Sequence, residues 1–343
     1  MSIRPKILVT QRIHEEVLQR LSAHAEVDMN HHHEPWPQAE ILRRAADAAA
    51  IMGFMTDQID SELLLAAPQL KIVACALKGF DNYNVPACTQ AGVWVSIVPD
   101  LLTEPTAELA IGLAIGLARH VRQADAYVRS GQFEGWRTHF YGMGLNGSVA
   151  AVVGLGQVGS AIVNKLSGFG CLRILGVDPE ADPSGVEMVS LEAAISQADY
   201  LFVAAPLVPT THHLIGKNQL EHAKAGQLII NIGRGSVVDE SAVTQALQKM
   251  QIGGYAADVF ECEDWQLANR PRCISPELLA LGNTIFTPHI GSAVKSVRVA
   301  IEQSAADNII AVLQGRVPPD AANWLPQVAG NRNPGSSKTY INQ

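Results

Sequence analysis

Short apolar runs that suit buried β-strands alternate with helix-like patterns along most of the chain. The first series of runs comprises KILVT, AAIMGF, LKIVACAL and VWVSIV, with helical patterns near residues 13–22, 60–66 and 84–91. The second comprises VAAVVGLG, LRILGVD, YLFVAAP, QLIINIG, GYAADVF and TIFTPH, with helical patterns near 159–168, 191–196 and 239–250. Such alternation is typical of parallel sheets covered by helices. The pattern therefore predicts an α/β protein with two doubly wound parallel sheets.

Two longer helical patterns flank the second series. The first runs from about residue 105 to 130, and Pro105 stands where the first turn of a helix tolerates proline. We expect this helix to cross between the two units. The second covers 292–314 and precedes the polar tail QVAGNRNPGSSKTYINQ, which we expect to be disordered or loosely docked.

Composition and charge narrow the class of protein. With 343 residues and 48% hydrophobic residues, the chain can bury the cores of two domains. A net charge of −8 argues against a nucleic-acid partner. The longest apolar run, Leu109 to Ala118, is far shorter than the roughly 20 residues that span a bilayer. We expect neither nucleic acid nor membrane as a partner.

The cysteines and the amino terminus bear on the cellular compartment. The five cysteines are odd in number and show no CxxC spacing, which favours reduced thiols. The start MSIRPKILVT predicts a first strand and lacks the features of a signal peptide. We therefore expect a cytoplasmic protein. His31, His32 and His33 are adjacent and cannot all face one ion, so we predict a solvated loop and no metal site.

A glycine-rich turn predicts a dinucleotide site. The apolar strand from Val149 runs into Gly154, Gly156 and Gly159, which form GxGxxG before a helical stretch. These glycines permit a tight turn, close approach of a pyrophosphate, and close packing of helix on strand. Asp178 follows the next strand, about 20 residues on, where an acid can bind ribose hydroxyls. The carboxylate would repel the 2′-phosphate of NADP, so NAD is the predicted cofactor. An acid that only caps the Asp178-Pro179 turn is the alternative.

Three ionisable residues end strands of the second series: Arg234, Glu263 and His289. Ligands of open α/β sheets bind at the carboxyl ends of the strands. An arginine can hold an anionic substrate, and a histidine can move a proton near neutral pH. A carboxylate that is bonded to the histidine would orient the ring and favour its protonated form. Taken singly, each residue could equally be an ordinary turn or surface residue.

The segments GRGSVVDE, DVFECED and TPHIGSA behind a GxGxxG turn resemble the D-2-hydroxyacid dehydrogenase family over nearly the whole chain. The resemblance implies two Rossmann-like domains with the active site in a cleft between them. Residues 1–100 and 290–343 would form a discontinuous substrate domain, and residues 101–289 the NAD-binding domain. It also implies a homodimer that is built largely on the NAD-binding domains. The expected cofactor contacts are Thr106, Gly154, Gly156, Gln157, Val158, Gly159, Asp178, Pro179, Ala205, Pro206, Gly233, Asp258 and His289.

Further segments resemble the phosphite (phosphonate) dehydrogenases of this family, among them FMTDQID, CALKGFDN, VRSGQFEGW, FYGMGL and FTPHIGSAVKSVR. The resemblance implies that Lys78 and Arg234 hold the phosphite oxygens. The other residues that it places in or beside the substrate pocket are Met55, Gly79, Trp136, Tyr141 and Arg298. Two cations suit a small, strongly charged oxyanion. The reaction would pass the P–H hydride to NAD while water attacks phosphorus.

Three questions stay open at this stage. His289 could accept the proton of the water with Glu263 holding its ring, but Arg234 is an alternative base. Lys78 could be a surface lysine of its loop. The chain could instead reduce a 2-keto acid such as glyoxylate or hydroxypyruvate, or could sense NAD without catalysis, as some corepressor-like relatives of this fold do.

Overall fold

The computed structural model describes residues 4–80, 82–98, 100–181, 183 and 185–325. The described part divides into two compact units, which fall within Met1–Leu102 plus Val294–Gln343 and within Thr103–Ala293. The unit boundaries differ by a few residues from the predicted ones, because the first helix of the second unit begins at Thr103 and its last loop runs on to Ala293.

The first unit is a parallel sheet in the strand order β2-β1-β3-β4-β5. Its elements in chain order are β1 (Lys6–Val9), α1 (Glu15–His24), β2 (Glu26–Met29), α2 (Gln38–Ala45), β3 (Ala48–Gly53), α3 (Ser61–Ala66), β4 (Ile72–Cys75), α4 (Val85–Gln90) and β5 (Trp94–Ser96). The last helix of the chain, Lys295–Leu313, also belongs to this unit. The strand order reverses between β1 and β3, where open α/β sheets form a crevice.

Alternate residues of the first unit's strands enter two separate cores. Ile7 and Val9 of β1 pack with α1 and the last helix, whereas Leu8 packs with α2, α3 and α4. Each of these three side chains is fully buried. Full burial of a side chain of this size stabilises the fold by roughly 1.5–3 kcal/mol. Helices on both faces explain why the strands are apolar without alternation.

The second unit is a parallel sheet of seven strands in the order β12-β11-β10-β9-β6-β7-β8. Its elements are α5 (Thr103–Ala118), α6 (Val121–Arg129), β6 (Val149–Val153), α7 (Gln157–Ser167), β7 (Arg173–Val177), β8 (Glu187–Met188), α8 (Leu191–Gln197), β9 (Tyr200–Val203), α9 (Lys217–Leu220), β10 (Leu228–Asn231), α10 (Glu240–Gln248), β11 (Gly254–Ala257), α11 (Pro276–Leu279) and β12 (Thr284–Phe286). The helix Lys295–Leu313 is α12. The order reverses between β6 and β9, as in dinucleotide-binding sheets.

The second sheet is also covered on both faces. Ala150 and Val152 of β6 pack with α5 and α7, whereas Ala151 and Val153 pack with α8 and α10. The predicted fold class, two Rossmann-like doubly wound parallel sheets, is confirmed.

Some predicted elements differ from the structure. The single helix predicted for 105–130 is two helices, α5 and α6, because His120 has a left-handed φ of 53°. Strands β2 and β8 were not predicted, because their sequences lack an apolar run; both lie at sheet edges. The predicted tail lies outside the described residues. Among the described residues, no helix is long and apolar enough to cross a membrane.

Candidate active site

The glycine-rich turn joins β6 to α7 and has the features of a pyrophosphate cradle. Gly154 has a φ of +88°, which favours glycine, and Gly159 packs so tightly that a Cβ would collide with the Gly154 carbonyl oxygen. A Cβ on Gly156 would instead point into open space. Gln157 and Val158 begin α7, whose free N–H groups carry partial positive charge. The turn therefore leaves room for a phosphate at the start of the helix.

Asp178 follows β7 and bonds to the glycine-rich turn. Its Oδ2 accepts the N–H of Leu155 at 2.7 Å, and its Oδ1 accepts those of Glu180 and Ala181 at 2.9 and 3.1 Å. Asp178 thus caps the Asp-Pro turn, which was the alternative to ribose binding. A carboxylate offers about four lone-pair sites, so it can still accept a ribose hydroxyl. The two roles are compatible.

The backbones of three strand-end loops meet beside the glycine-rich turn. The backbone of Ala205, which follows β9, lies against Gly154 and also against Gly233, which follows β10. These three residues were all predicted to contact the cofactor, and the structure brings them together. Pro206 continues the same loop after β9.

His289 and Glu263 form a hydrogen-bonded pair at the carboxyl ends of β12 and β11. His289 Nδ1 lies 2.8 Å from Glu263 Oε2, and both side chains are partly exposed. Glu263 Oε1 accepts the N–H of Phe260 at 2.8 Å, which fixes the carboxylate. Because Nδ1 faces Glu263, the other ring nitrogen, Nε2, is the one that can exchange a proton with a second partner, as in acid–base catalysis.

Asp258 holds the loop that carries His289. Its Oδ1 accepts the Thr287 hydroxyl at 2.6 Å and the Ile290 N–H at 2.8 Å, and its Oδ2 accepts the Gly291 N–H at 2.8 Å. Burial raises the pKa of Asp258, and these hydrogen bonds oppose the rise. The network supports the left-handed φ of 53° at His289, which costs a non-glycine residue about 1–2 kcal/mol.

Thr106, near the start of α5, lies against the loop that carries His289. A Cβ on Gly291 would lie 3.0 Å from the Thr106 hydroxyl oxygen, so the start of α5 touches the His289 loop. Thr106 and Asp258 were predicted cofactor contacts, and both are placed beside His289.

Arg234 follows β10, the strand next to β11 in the sheet. Asn231 braces its turn: the Asn231 amide donates to the Arg234 carbonyl at 3.0 Å, and its oxygen accepts the Gly233 N–H at 3.2 Å. The Arg234 side chain donates to the Gly233 carbonyl at 2.9 Å. Arg234, Glu263 and His289 therefore follow three neighbouring strands at one edge of the sheet.

In the first unit, the predicted substrate residues Met55, Lys78 and Gly79 lie in loops that follow β3 and β4. The Asn82 amide joins these two loops by donating to the carbonyls of Phe54, Met55 and Asp57. Arg298 lies in the first turn of α12. Burial lowers the pKa of Arg298, and the Glu302 carboxylate opposes this.

Tyr141 does not lie at the carboxyl edge that carries His289, and Trp136 precedes Tyr141 in the same segment. Trp136 and Tyr141 belong to the segment between α6 and β6 and are 80% and 78% exposed. Gly142, next to Tyr141, packs on the last residue of α5, Ala118. Because α5 rises about 1.5 Å per residue from Thr106, that end lies at the opposite edge of the sheet. Within one chain the structure therefore does not bring Tyr141 to Arg234, Glu263 and His289.

Several buried polar residues that support loops with predicted site residues were missed from the sequence. Asp57 accepts the Thr10 hydroxyl at 2.5 Å and the Phe54 N–H at 2.7 Å, below the loop with Met55. Glu240 and Asp264 bond to the turns that carry Glu263 and Arg234. The burial of these acids follows no periodic pattern in the sequence, although Glu240 lies inside the segment GRGSVVDE and Asp264 inside DVFECED. Within the described ranges, no set of three or more His, Cys, Asp or Glu side chains could hold a metal ion.

The fold and the glycine-rich turn define a dinucleotide-binding protein of the Rossmann class, with a histidine–carboxylate pair at the sheet edge. Residues 111–291 match the model of the family described as "D-isomer specific 2-hydroxyacid dehydrogenase, NAD binding domain". The glyoxylate reductase of Thermococcus litoralis is 34% identical over 94% of this chain and 97% of its own length. That of Korarchaeum cryptofilum is 35% identical over 97% of this chain and 99% of its own.

Solved structures agree with these sequence comparisons. A protein from Thermus thermophilus superposes with a TM-score of 0.86 at 32% identity, covering 93% of this chain and 100% of that one. The NADPH-dependent glyoxylate/hydroxypyruvate reductase of Sinorhizobium meliloti, solved with NADP and malonate, has a TM-score of 0.81 at 30% identity and covers 93% of this chain and 96% of its own. The chain therefore belongs to the D-isomer specific 2-hydroxyacid dehydrogenase family, and it carries that family's NAD-binding domain.

Proposed function

We propose that this protein is an NAD-dependent dehydrogenase that oxidises phosphite to phosphate. Lys78, at the centre of the loop after β4, carries the substrate assignment, because the resemblance to phosphite dehydrogenases pairs its cation with that of Arg234. Phosphite concentrates more negative charge on one small group than a monocarboxylate does, so two cations suit it better than one. The resemblance of several surrounding segments to phosphite dehydrogenases supports the same substrate.

The proposed reaction uses the residues as follows. NAD, when bound, accepts the hydride. Lys78 and Arg234 hold the phosphite oxygens, and Met55 and Gly79 shape the loop side of the pocket. His289 takes a proton from the attacking water, and Glu263 orients its ring and stabilises the resulting positive charge. Phosphite, water and NAD give phosphate, NADH and a proton, so atoms and electrons balance.

Reduction of a 2-keto acid is the second candidate, and the comparisons favour it by name. Relatives that are 34–35% identical over almost the whole chain are glyoxylate reductases. The same residues could serve it: Arg234 would bind the carboxylate, and protonated His289 would give its proton to the ketone oxygen as hydride arrives from NADH. Lys78 would then be of little importance to turnover.

Lys78→Ala tests the assignment, with Lys71→Ala as the matched control. Lys71 is an exposed lysine that immediately precedes β4 in the same unit. We expect Lys78→Ala to lower kcat/KM for phosphite by about 100-fold or more, as expected when a charged hydrogen bond to a substrate is lost. Lys71→Ala should leave it unchanged. Two results together would refute the phosphite assignment. The native protein would show no turnover of phosphite, and Lys78→Ala would still turn over glyoxylate.

We propose NAD rather than NADP as the working cofactor, because Asp178 places a carboxylate at the end of β7, where a 2′-phosphate would be repelled. We also propose a cytoplasmic location, which the five cysteines support because none of them is in a disulfide and reduced thiols are typical of that compartment.

We also propose a homodimer through the second unit. Val121 and Val128 of α6 and Phe133, Trp136 and Tyr141 of the segment after it expose much of their apolar surface. Exposed apolar patches of this kind mark protein interfaces. Since Tyr141 lies away from His289 of its own chain, a second copy is the route by which it could serve a substrate pocket.

A further inference from the structure

The turn that carries Glu263 is too short to fix its own position. It is a 3-10 helix of three residues, Glu261–Glu263, which directly follows Phe260. Such short turns have poor hydrogen-bond geometry and little stability alone. The direction of the Glu263 carboxylate toward His289 therefore depends on what holds this turn.

A reciprocal pair of hydrogen bonds holds its beginning. The Glu261 N–H donates to Glu240 Oε1 at 2.8 Å, and the Glu240 N–H donates to Glu261 Oε1 at 2.8 Å. Glu240 is the first residue of α10 and is 7% exposed. The second oxygen of Glu261 lies 3.3 Å from His213 Nε2. Two carboxylates thus each accept the other residue's backbone N–H, and they join α10 to the turn.

A separate contact holds the end of the turn to the Arg234 side. Asp264, which is 5% exposed, accepts the Ser236 N–H on its Oδ2 at 2.6 Å. Ser236 belongs to the 3-10 helix Gly235–Val237, which begins immediately after Arg234. A Cβ on Gly235 would collide with the Phe260 backbone, so the two turns are in direct contact.

We propose that Glu240 is a positioning residue of this enzyme: through Glu261 it sets the turn that aims Glu263 at His289. The inference rests on the proposed acid–base role of the Glu263–His289 pair. Glu240 acts at one remove, because its carboxylate bonds the Glu261 backbone and not His289.

The electrostatic cost of the arrangement agrees with this role. Burial raises the pKa of Glu240 to about 7, and the carboxylates of Glu261, Asp264 and Glu263 contribute to the rise although the Glu261 N–H opposes it. A buried acid of this kind is weak support for stability. Its effect is geometric, because it holds the turn that carries Glu263. A displacement of that turn by about 1 Å can lower the rate by about 100-fold.

The test compares Glu240→Ala, which removes the acceptor, with Glu240→Gln, which keeps an acceptor oxygen of the same reach. Glu192→Ala is the matched control, because Glu192 is an exposed acid in the first turn of α8. Glu240→Asp keeps the charge but shortens the side chain, and it replaces the alanine variant if that variant does not fold. All are measured as full-length protein with NAD and phosphite or with NADH and glyoxylate, whichever pair the native enzyme turns over.

We expect Glu240→Ala to lower kcat by about 10- to 100-fold with KM for the substrate and Kd for NAD changed less than about threefold. Glu240→Gln should restore most of kcat, and Glu192→Ala should resemble the native protein. An unchanged kcat in Glu240→Ala, a change in KM as large as the change in kcat, or no rescue by glutamine would overturn the positioning role.

Backbone hydrogen exchange gives a second readout that needs no substrate. Glu240→Ala should speed exchange at the Glu261 and Glu263 amides by about tenfold or more, while exchange in β9 stays as in the native protein. Unchanged exchange at these amides would overturn the inference. A native protein that oxidises or reduces neither substrate would refute the proposed function, whereas the exchange result would still decide whether Glu240 holds the turn.

Discussion

The pairing of His289 with Glu263 depends on an oriented carboxylate, and single substitutions can test it. Glu263→Gln keeps the shape of the side chain but removes the charge that stabilises a protonated ring. We expect kcat to fall by about 100-fold, the size of a general acid–base contribution, with little change in NAD binding. Steady-state kinetics measure it.

Glu277→Gln is the control for that measurement, since Glu277 is an exposed acid at the start of α11 in the same unit. It should leave kcat unchanged. A native kcat in Glu263→Gln would show that His289 does not need the carboxylate.

Asp57 makes the stability of the first unit depend on pH. Burial raises its pKa from 3.8 to about 6, although the Thr10 hydroxyl and the Phe54 N–H oppose the rise. The folded state therefore binds the Asp57 proton more tightly than the unfolded state, and stability is lost as pH rises from about 4 to about 6. Asp57→Asn mimics the protonated form and lacks this dependence.

Relative to Asp57→Asn, the native protein should lose about 2 kcal/mol of unfolding free energy between pH 4 and pH 7. Urea unfolding at the two pH values measures the difference. A difference between the two proteins that does not vary with pH would contradict the raised pKa.

At this scale the sequence predicted residues that belong to motifs and missed residues that act through burial. GxGxxG and the segments around Arg234, Glu263 and His289 have recognisable neighbours along the chain. The roles of Asp57 and Glu240 could not be predicted from the sequence, because they depend on contacts with residues that are distant along the chain. The left-handed φ of His289 was likewise beyond prediction, since it depends on the Asp258 contacts.

At the scale of elements, two glycines of the β6–α7 turn provide a matched pair. A methyl group on Gly159 would collide with the Gly154 carbonyl, whereas one on Gly156 would enter open space. We expect Gly159→Ala to destabilise the protein by about 1–3 kcal/mol through overpacking. Gly156→Ala should leave stability within about 0.5 kcal/mol but weaken NAD binding, because the new methyl group occupies the path of the pyrophosphate.

Thermal or urea unfolding measures the stabilities, and calorimetric titration with NAD measures the affinities. Equal NAD affinity in Gly156→Ala and the native protein would argue against a pyrophosphate at this turn.

Element prediction succeeded where helices cover both faces of a strand, because such strands are continuous apolar runs. It failed at polar or very short edge strands such as β2 and β8. Each of these pairs with only one neighbouring strand, so it does not require an apolar run. The break between α5 and α6 was also missed, because the helical pattern continues across His120 and the left-handed turn there carries no glycine or proline.

At the scale of the whole molecule, the exposed apolar side chains of α6 and the segment after it carry the dimer proposal. Val128→Glu places a charge in that patch and should convert a dimer to a monomer at micromolar concentration, as analytical ultracentrifugation would show. Leu65→Glu is the control, because Leu65 of α3 is an exposed leucine in the first unit. A Val128→Glu protein with the native mass would remove this surface as the interface.

The substrate is the central claim, and one assay tests it most directly. Purified protein is incubated with NAD and phosphite, or with NADH and glyoxylate, and the reduced nicotinamide absorbance is followed while phosphate is measured. We expect NADH formation that depends on phosphite and equals, mole for mole, the phosphate produced. Oxidation of NADH by glyoxylate, with no reduction of NAD by phosphite, would contradict it and would make the protein a 2-keto acid reductase of the same family.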